Sequence, residues 1–296
     1  MDDASPNAQP IKARIGRIGL WSMELRFGDP AEAAEAAAEL DQLGFGAILV
    51  PGGVGGDVLG DIGRLLSATR RMVIGTGILN IWKHEPREIG DWWKRQSQDA
   101  QARLLLGLGV SHGPLIGEAY RSPLHAMDDY LTRLSAEGLP ASALCLAALG
   151  PKMLELARDR TAGAHPYLVT PEHTETARQI LGPGALLAPE QGVILERDPV
   201  RARELGRTVI AQYGRLPNYV NSWRRLGFSD DDITGASDRL VDALFAWGGV
   251  DQIAHRVDAH LAAGADHVCL QVLTGAPGPD VAAARPAWRE LAAALI

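Results

Sequence analysis

The chain has little cysteine: two residues, Cys145 and Cys269, in 296. Both lie inside apolar runs, so buried free thiols on strands are expected and a disulfide scaffold is excluded. Lysine is scarce and no basic stripe offsets a net charge of −7, which argues against nucleic acid as a partner. The longest apolar runs, such as 264–273, fall well short of the ~20 residues of a membrane span. The opening MDDASPNAQPIKAR has no basic stretch followed by an apolar one, so no signal peptide is expected and the protein reads as cytoplasmic. There is no Gly-x-Ser-x-Gly elbow and no Walker loop. His84, His112 and His165 have no paired carboxylates at metal-ligand spacing.

What is present is an alternation. Short runs rich in Val, Ile and Leu end in Gly or Pro and read as buried parallel strands. Ala/Glu/Arg-rich stretches with helical spacing separate them. The expected strands are 17–21, 47–50, 72–79, 104–109, 143–148, 163–167, 186–195 and 267–272, with a long, mostly helical stretch from 199 to 261 between the last two. Asp29-Pro30 is a helix start, Asp as cap and Pro at the first helical position, and Gly44 is its stop. Eight strand–helix units predict a single (β/α)₈ barrel over 14–296, with a helical insertion between strands seven and eight. Residues 1–13 are expected to form a flexible tail. A doubly wound sheet is the alternative, because the same alternation feeds both folds.

A barrel places its active site at the C-terminal strand ends. There the sequence offers Gly77-Ile78, then Gly109-Val110-Ser111-His112-Gly113, then Leu149-Gly150-Pro151-Lys152, and His165 in strand six. Glycines at strand ends admit a flat or phosphorylated ligand close to the backbone.

These segments carry a resemblance. Gly75-Thr76-Gly77-Ile78-Leu79 resembles strand three of the luciferase-like monooxygenase superfamily. Leu106 to Gly113 resembles its strand four, in the form of the coenzyme F420-dependent members. Residues 147–153 and 162–167 resemble strands five and six. Tyr219 to Phe228, Asp238 to Val241 and Ala263 to Val268 complete the pattern, which spans roughly Ile15 to the C-terminus. The resemblance implies a TIM barrel with a flavin or deazaflavin ring in its mouth. It also implies a non-prolyl cis peptide at Gly77-Ile78 behind the ring, with Gly109, Val110 and Ser111 lining it. Leu149, Gly150 and Pro151 would meet the cofactor's phosphate-bearing tail, where a helix begins and its free N–H groups favour an anion. A simple strand-to-helix turn is the plainer reading of that segment.

His112 is the titratable candidate. Relatives that oxidise sugar phosphates carry Glu at the matching place, and a His there can exchange protons near neutral pH. It either assists catalysis or only holds the cofactor. His165 is a cofactor contact or a satisfied core histidine. His84 and Trp82 could line the substrate space. Those same relatives place an acid and a His after strand two, where this chain has Pro51-Gly52-Gly53-Val54. Without that base, reduction of a small organic acceptor is favoured over alcohol oxidation. The expected protein is thus an F420-dependent oxidoreductase, with a homodimer as its assembly. An FMN-dependent monooxygenase and a non-catalytic flavin-binding protein are the alternatives.

Overall fold

The computed structural model describes residues 10–53, 55–117, 120 and 122–296. Among these, ten strands form one curled, all-parallel sheet. They are β1 (Ile18–Trp21), β2 (Ala47–Gly52), β3 (Val73–Asn80), β4 (Leu104–Gly109), β5 (Leu144–Leu146), β6 (Gly163–Ala164), β7 (Leu186–Leu187), β8 (Glu190–Ile194), β9 (Phe245–Trp247) and β10 (Val268–Val272). Their order is β7-β6-β5-β4-β3-β2-β1-β10-β8-β9. The fold is the (β/α)₈ barrel expected from the alternation.

Two differences from that expectation have simple causes. The seventh strand is split into β7 and β8 at Pro189, which has no N–H to give a ladder. The split segment closes the ring: Ala188 and Glu190 donate to Ala164 and Pro166 on the β6 side, at 2.9 and 2.8 Å, and Cys269 donates to Pro189 at 2.9 Å on the β10 side. The stretch expected to be mostly helical holds helices Pro199–Tyr213, Pro217–Arg225, Asp230–Thr234, Asp238–Leu244 and Val250–Ala262, but also β9. Its Phe245-Ala246-Trp247 continues the apolar pattern of the preceding helix, so periodicity alone does not separate the two.

The helices pack apolar faces on the barrel. Helix Pro30–Leu43 starts where expected: the Asp29 carboxylate accepts from Ala31 and Glu32 at 2.9 and 3.0 Å. It ends at Gly44, whose φ of +100° suits glycine. Ala33, Ala36, Ala37 and Leu40 form its buried face.

The barrel floor is closed by Ile11 and Ile15 against Ala47, Val73, Leu105, Cys145 and Leu186. The end of the expected tail is therefore ordered: Ile11–Arg14 form one helical turn with Ile11 buried. Residues 1–9 lie outside the described residues. Both cysteines are buried and free, as expected, and burial pushes the Cys145 thiol up to about 12. No helix among the described residues is long and apolar enough to cross a membrane.

Candidate active site

The strand ends open into a cleft of about 310 Å³ over β3 to β6. Seven residues expected from sequence line it: Ile78, Gly109, Val110, Ser111, His112, Leu149 and Gly150. The Gly77–Ile78 peptide is cis, where the resemblance placed it, and β3 shifts register against β4 between Thr76 and Leu79. Ile78 lies across Gly109, where an added Cβ would come within 2.4 Å of the Ile78 Cδ1.

Gly77 itself does not line the cleft. It faces the barrel interior, where a Cβ would lie 2.6 Å from the Trp21 ring and 2.8 Å from the Nε2 of His165. Its carbonyl accepts from Trp21 Nε1 at 2.6 Å. His165 does not line the cleft either. It is buried, and its Nδ1 donates to Ala188 O at 2.7 Å. Burial holds its pKa down to about 4. Pro151 opens helix Pro151–Arg160 as expected, but is exposed beside the cleft and does not line it.

Ser111 adopts φ +56°, a conformation costly for a side-chain-bearing residue. Its carbonyl accepts from Asn218 Nδ2 at 3.4 Å. His112 follows, half-buried, its ring 5.5 Å from that of Tyr219. Its Nδ1 is buried without a partner, and burial lowers its pKa below the ordinary 6.5. At neutral pH His112 is therefore an uncharged imidazole.

Helix Pro217–Arg225 supplies residues the sequence did not flag: Asn218, Tyr219, Asn221 and Arg225 line the cleft. The Tyr219–Phe228 segment belongs to the resemblance, but nothing in its spacing says that it reaches over the mouth. Arg225 Nη2 donates to Leu149 O at 2.9 Å, and His173 Nε2 donates to the same carbonyl at 3.2 Å. Two donors thus fix the turn from which helix Pro151–Arg160 starts. First-turn N–H groups of such a helix, with a guanidinium beside them, suit an anion.

The loop after β2 carries no acid or imidazole among the described residues of 51–56; Val54 lies outside them. It is clamped instead. Arg26 donates to Pro51 O and to Gly55 O, and the His84 ring donates to Gly52 O at 3.3 Å. His84 is occupied there, and Trp82 donates to Val110 O at 2.7 Å. Neither lines the cleft.

A second cavity, of about 420 Å³, lies over the β10–β1 side, lined among others by Trp21, Glu24, Tyr213 and Gln271. Tyr167 lines both spaces. Its hydroxyl donates to Gln271 Oε1 at 2.9 Å, and its ring sits 5.3 Å from Tyr213 and 5.6 Å from Trp21. Among the described residues no cluster of His, Cys, Asp or Glu could hold a metal.

No protein-family profile matches the chain, and no curated protein sequence matches it. Its fold does match solved structures. An F420-dependent secondary alcohol dehydrogenase, in complex with an F420–acetone adduct, superposes with a TM-score of 0.71 at 15% identity, covering 95% of this chain and 99% of that one. The coenzyme F420-dependent tetrahydromethanopterin reductase of Methanopyrus kandleri gives 0.63 at 14%, covering 94% and 98%. The FMN-bound oxygenating constituent of a Pseudomonas putida 3,6-diketocamphane monooxygenase gives 0.67 at 12%, covering 95% and 99%. The architecture is thus a (β/α)₈ barrel, shared with F420-dependent and FMN-bound enzymes.

Proposed function

We propose that this protein is an oxidoreductase that binds a deazaflavin of the F420 type and transfers a hydride between it and a small organic substrate, in the direction of reduction. The observation that carries the reading is the continuity of the cleft. It runs from Ile78 and the glycine-lined backbone at Gly109 to the Leu149–Gly150 turn, where Arg225 stands at a helix N-terminus. A flat ring fits against the first end, because Gly109 carries no side chain there. An anionic tail fits the second. His112 lines the same space, and its Nδ1 is buried without a hydrogen-bond partner.

When bound, a deazaflavin supplies hydride chemistry and, with carbon in place of the flavin N5, little reactivity toward oxygen. This chain supplies the rest. Ile78, Gly109, Val110 and Ser111 would hold the ring, and Leu149, Gly150 and Arg225 the tail. His112, uncharged at neutral pH, would accept or relay a proton through its ring. The described residues of 51–56 after β2, held through Arg26 and His84, include no acid or imidazole, and the Asp57 carboxylate that follows is engaged in capping the next helix, which supports reduction. Fluorescence titration with F420 and with FMN tests the reading; tighter binding of FMN overturns it in favour of a flavin monooxygenase. Binding of F420 without turnover toward any acceptor would favour a non-catalytic role. A homodimer belongs to the same proposal and is checked by light scattering.

A further inference from the structure

Resting on that reading, we infer that the second cavity is the substrate chamber and that it admits uncharged organic molecules while excluding anions, with Glu24 as the residue that sets this specificity.

The placement comes from the strand ends. The cleft for the cofactor lies over β3 to β6, and the second cavity over β10 and β1. Both lie at the C-terminal mouth, and the side chain of Tyr167 is their shared wall. A ligand in the second cavity therefore sits beside whatever occupies the first. At about 420 Å³ the space is of small-molecule size. It opens outward through the exposed residues Thr274, Gly275, Pro277 and Gly278 after β10.

The chemistry of the wall sets the class. Among the described residues lining it there is no Lys, Arg or His, and one carboxyl, Glu24. The remaining polar groups are neutral, among them Thr208, Gln212, Tyr213 and Gln271; Met23, Leu205 and Val209 are apolar. A phosphate or carboxylate entering this space would lose its hydration, meet a like charge and find no cation in return. A ketone, enone or other neutral acceptor would find hydrogen-bonding groups and apolar surface. The contrast with the cofactor cleft is direct: there Arg225 provides for an anion, and here nothing does.

Ligand-observed NMR titration with two probes of matched shape, cyclohexanone and cyclohexanecarboxylate, tests the inference on the whole protein with and without F420. The expected result is binding of cyclohexanone, with the carboxylate weaker by at least about tenfold. Glu24→Gln, which conserves size, should narrow that gap, and Val209→Trp should abolish cyclohexanone binding by filling the space. Equal or tighter binding of the carboxylate, an unchanged ratio in Glu24→Gln, or no binding of either probe overturns the inference. So does unchanged cyclohexanone binding in a folded Val209→Trp; if that variant does not fold, the Glu24→Gln ratio decides. The parallel F420 titration, read by its own fluorescence, separates failure of this chamber from failure of the cofactor reading.

Discussion

The carboxyl of Glu190, buried inside the barrel on β8, accepts the backbone N–H of Leu168 at 3.1 Å. Leu168 has φ +53°, and its carbonyl accepts from Trp223 Nε1 at 3.2 Å. A left-handed leucine is costly and persists where its surroundings hold it. Glu190 and Trp223 grip it from both sides, and so fix Tyr167, the residue between the two cavities.

Glu190 should make stability fall as pH rises. Burial pushes its pKa from 4.5 up to about 8, against the Leu168 hydrogen bond. The folded state therefore holds a proton that the unfolded chain gives up above 4.5. Its contribution is fully present at lower pH and is lost as pH rises through about 8. Glu190→Gln keeps an acceptor for Leu168 and removes the titration. Chemical denaturation should find it more stable than the parent by about 1–3 kcal/mol at pH 8 and indistinguishable near pH 4. A loss of stability at pH 8 would refute this.

Four buried histidines act in the opposite direction. Burial holds His165, His173 and His267 down to about 4 and His260 to about 3. The unfolded chain protonates these side chains first as pH falls below 6.5, so their contribution is lost from there toward 4. Each supplies up to about 1.4 kcal/mol per pH unit. Four such groups outweigh the single Glu190 below 6.5, and Glu190 acts alone among them above it. Melting temperature against pH should peak near 6.5, with the steeper limb on the acid side. A flat profile from 5 to 8 would exclude the account.

Two glycines one strand apart should behave differently. Gly77→Ala places a Cβ against the Trp21 ring and His165 in a packed interior, and should cost about 1–3 kcal/mol of stability. Gly109→Ala crowds the outer part of the Ile78 side chain, with the Ala147 Cβ at an ordinary 3.6 Å. The outer part can swing into the cleft, so this variant should lose F420 affinity at little cost in melting temperature. Thermal melts beside F420 titrations distinguish the pair; the reverse pattern would mean the faces are misassigned.

Arg225→Ala should weaken F420 binding by about tenfold or more, the scale of one hydrogen bond to a charged group. The salt dependence of binding should shallow with it. Unchanged affinity would place the anionic tail elsewhere.

His112→Ala should lower turnover by roughly 10²-fold, with affinity changed far less. Because burial lowers its pKa below 6.5, the acid limb of the rate profile should fall below that pH and vanish in the variant. An affinity loss with the rate intact at saturation would leave His112 a binding role alone.

Much of this was legible in the sequence. Strand-end glycines, Asp29-Pro30 and the order of apolar runs determine a barrel locally, because capping, backbone freedom and burial act on neighbours in the chain. They also place Ile78, Gly109, Ser111, His112 and Gly150 at one mouth. What the tertiary structure decided concerns residues far apart. Alternation says that Gly77 and Ile78 face opposite sides, but which one faces inward depends on pairing with β2 and β4. His165 became core because it lies opposite Ala188, which belongs to another strand. Arg225 reaches Leu149 across 76 positions, and Glu24 joins Gln271 around one cavity only because β1 pairs β10 and closes the ring. Local rules carry an element's type and its ends; charge, orientation and neighbourhood at a site come from contacts that exist only once the barrel has shut.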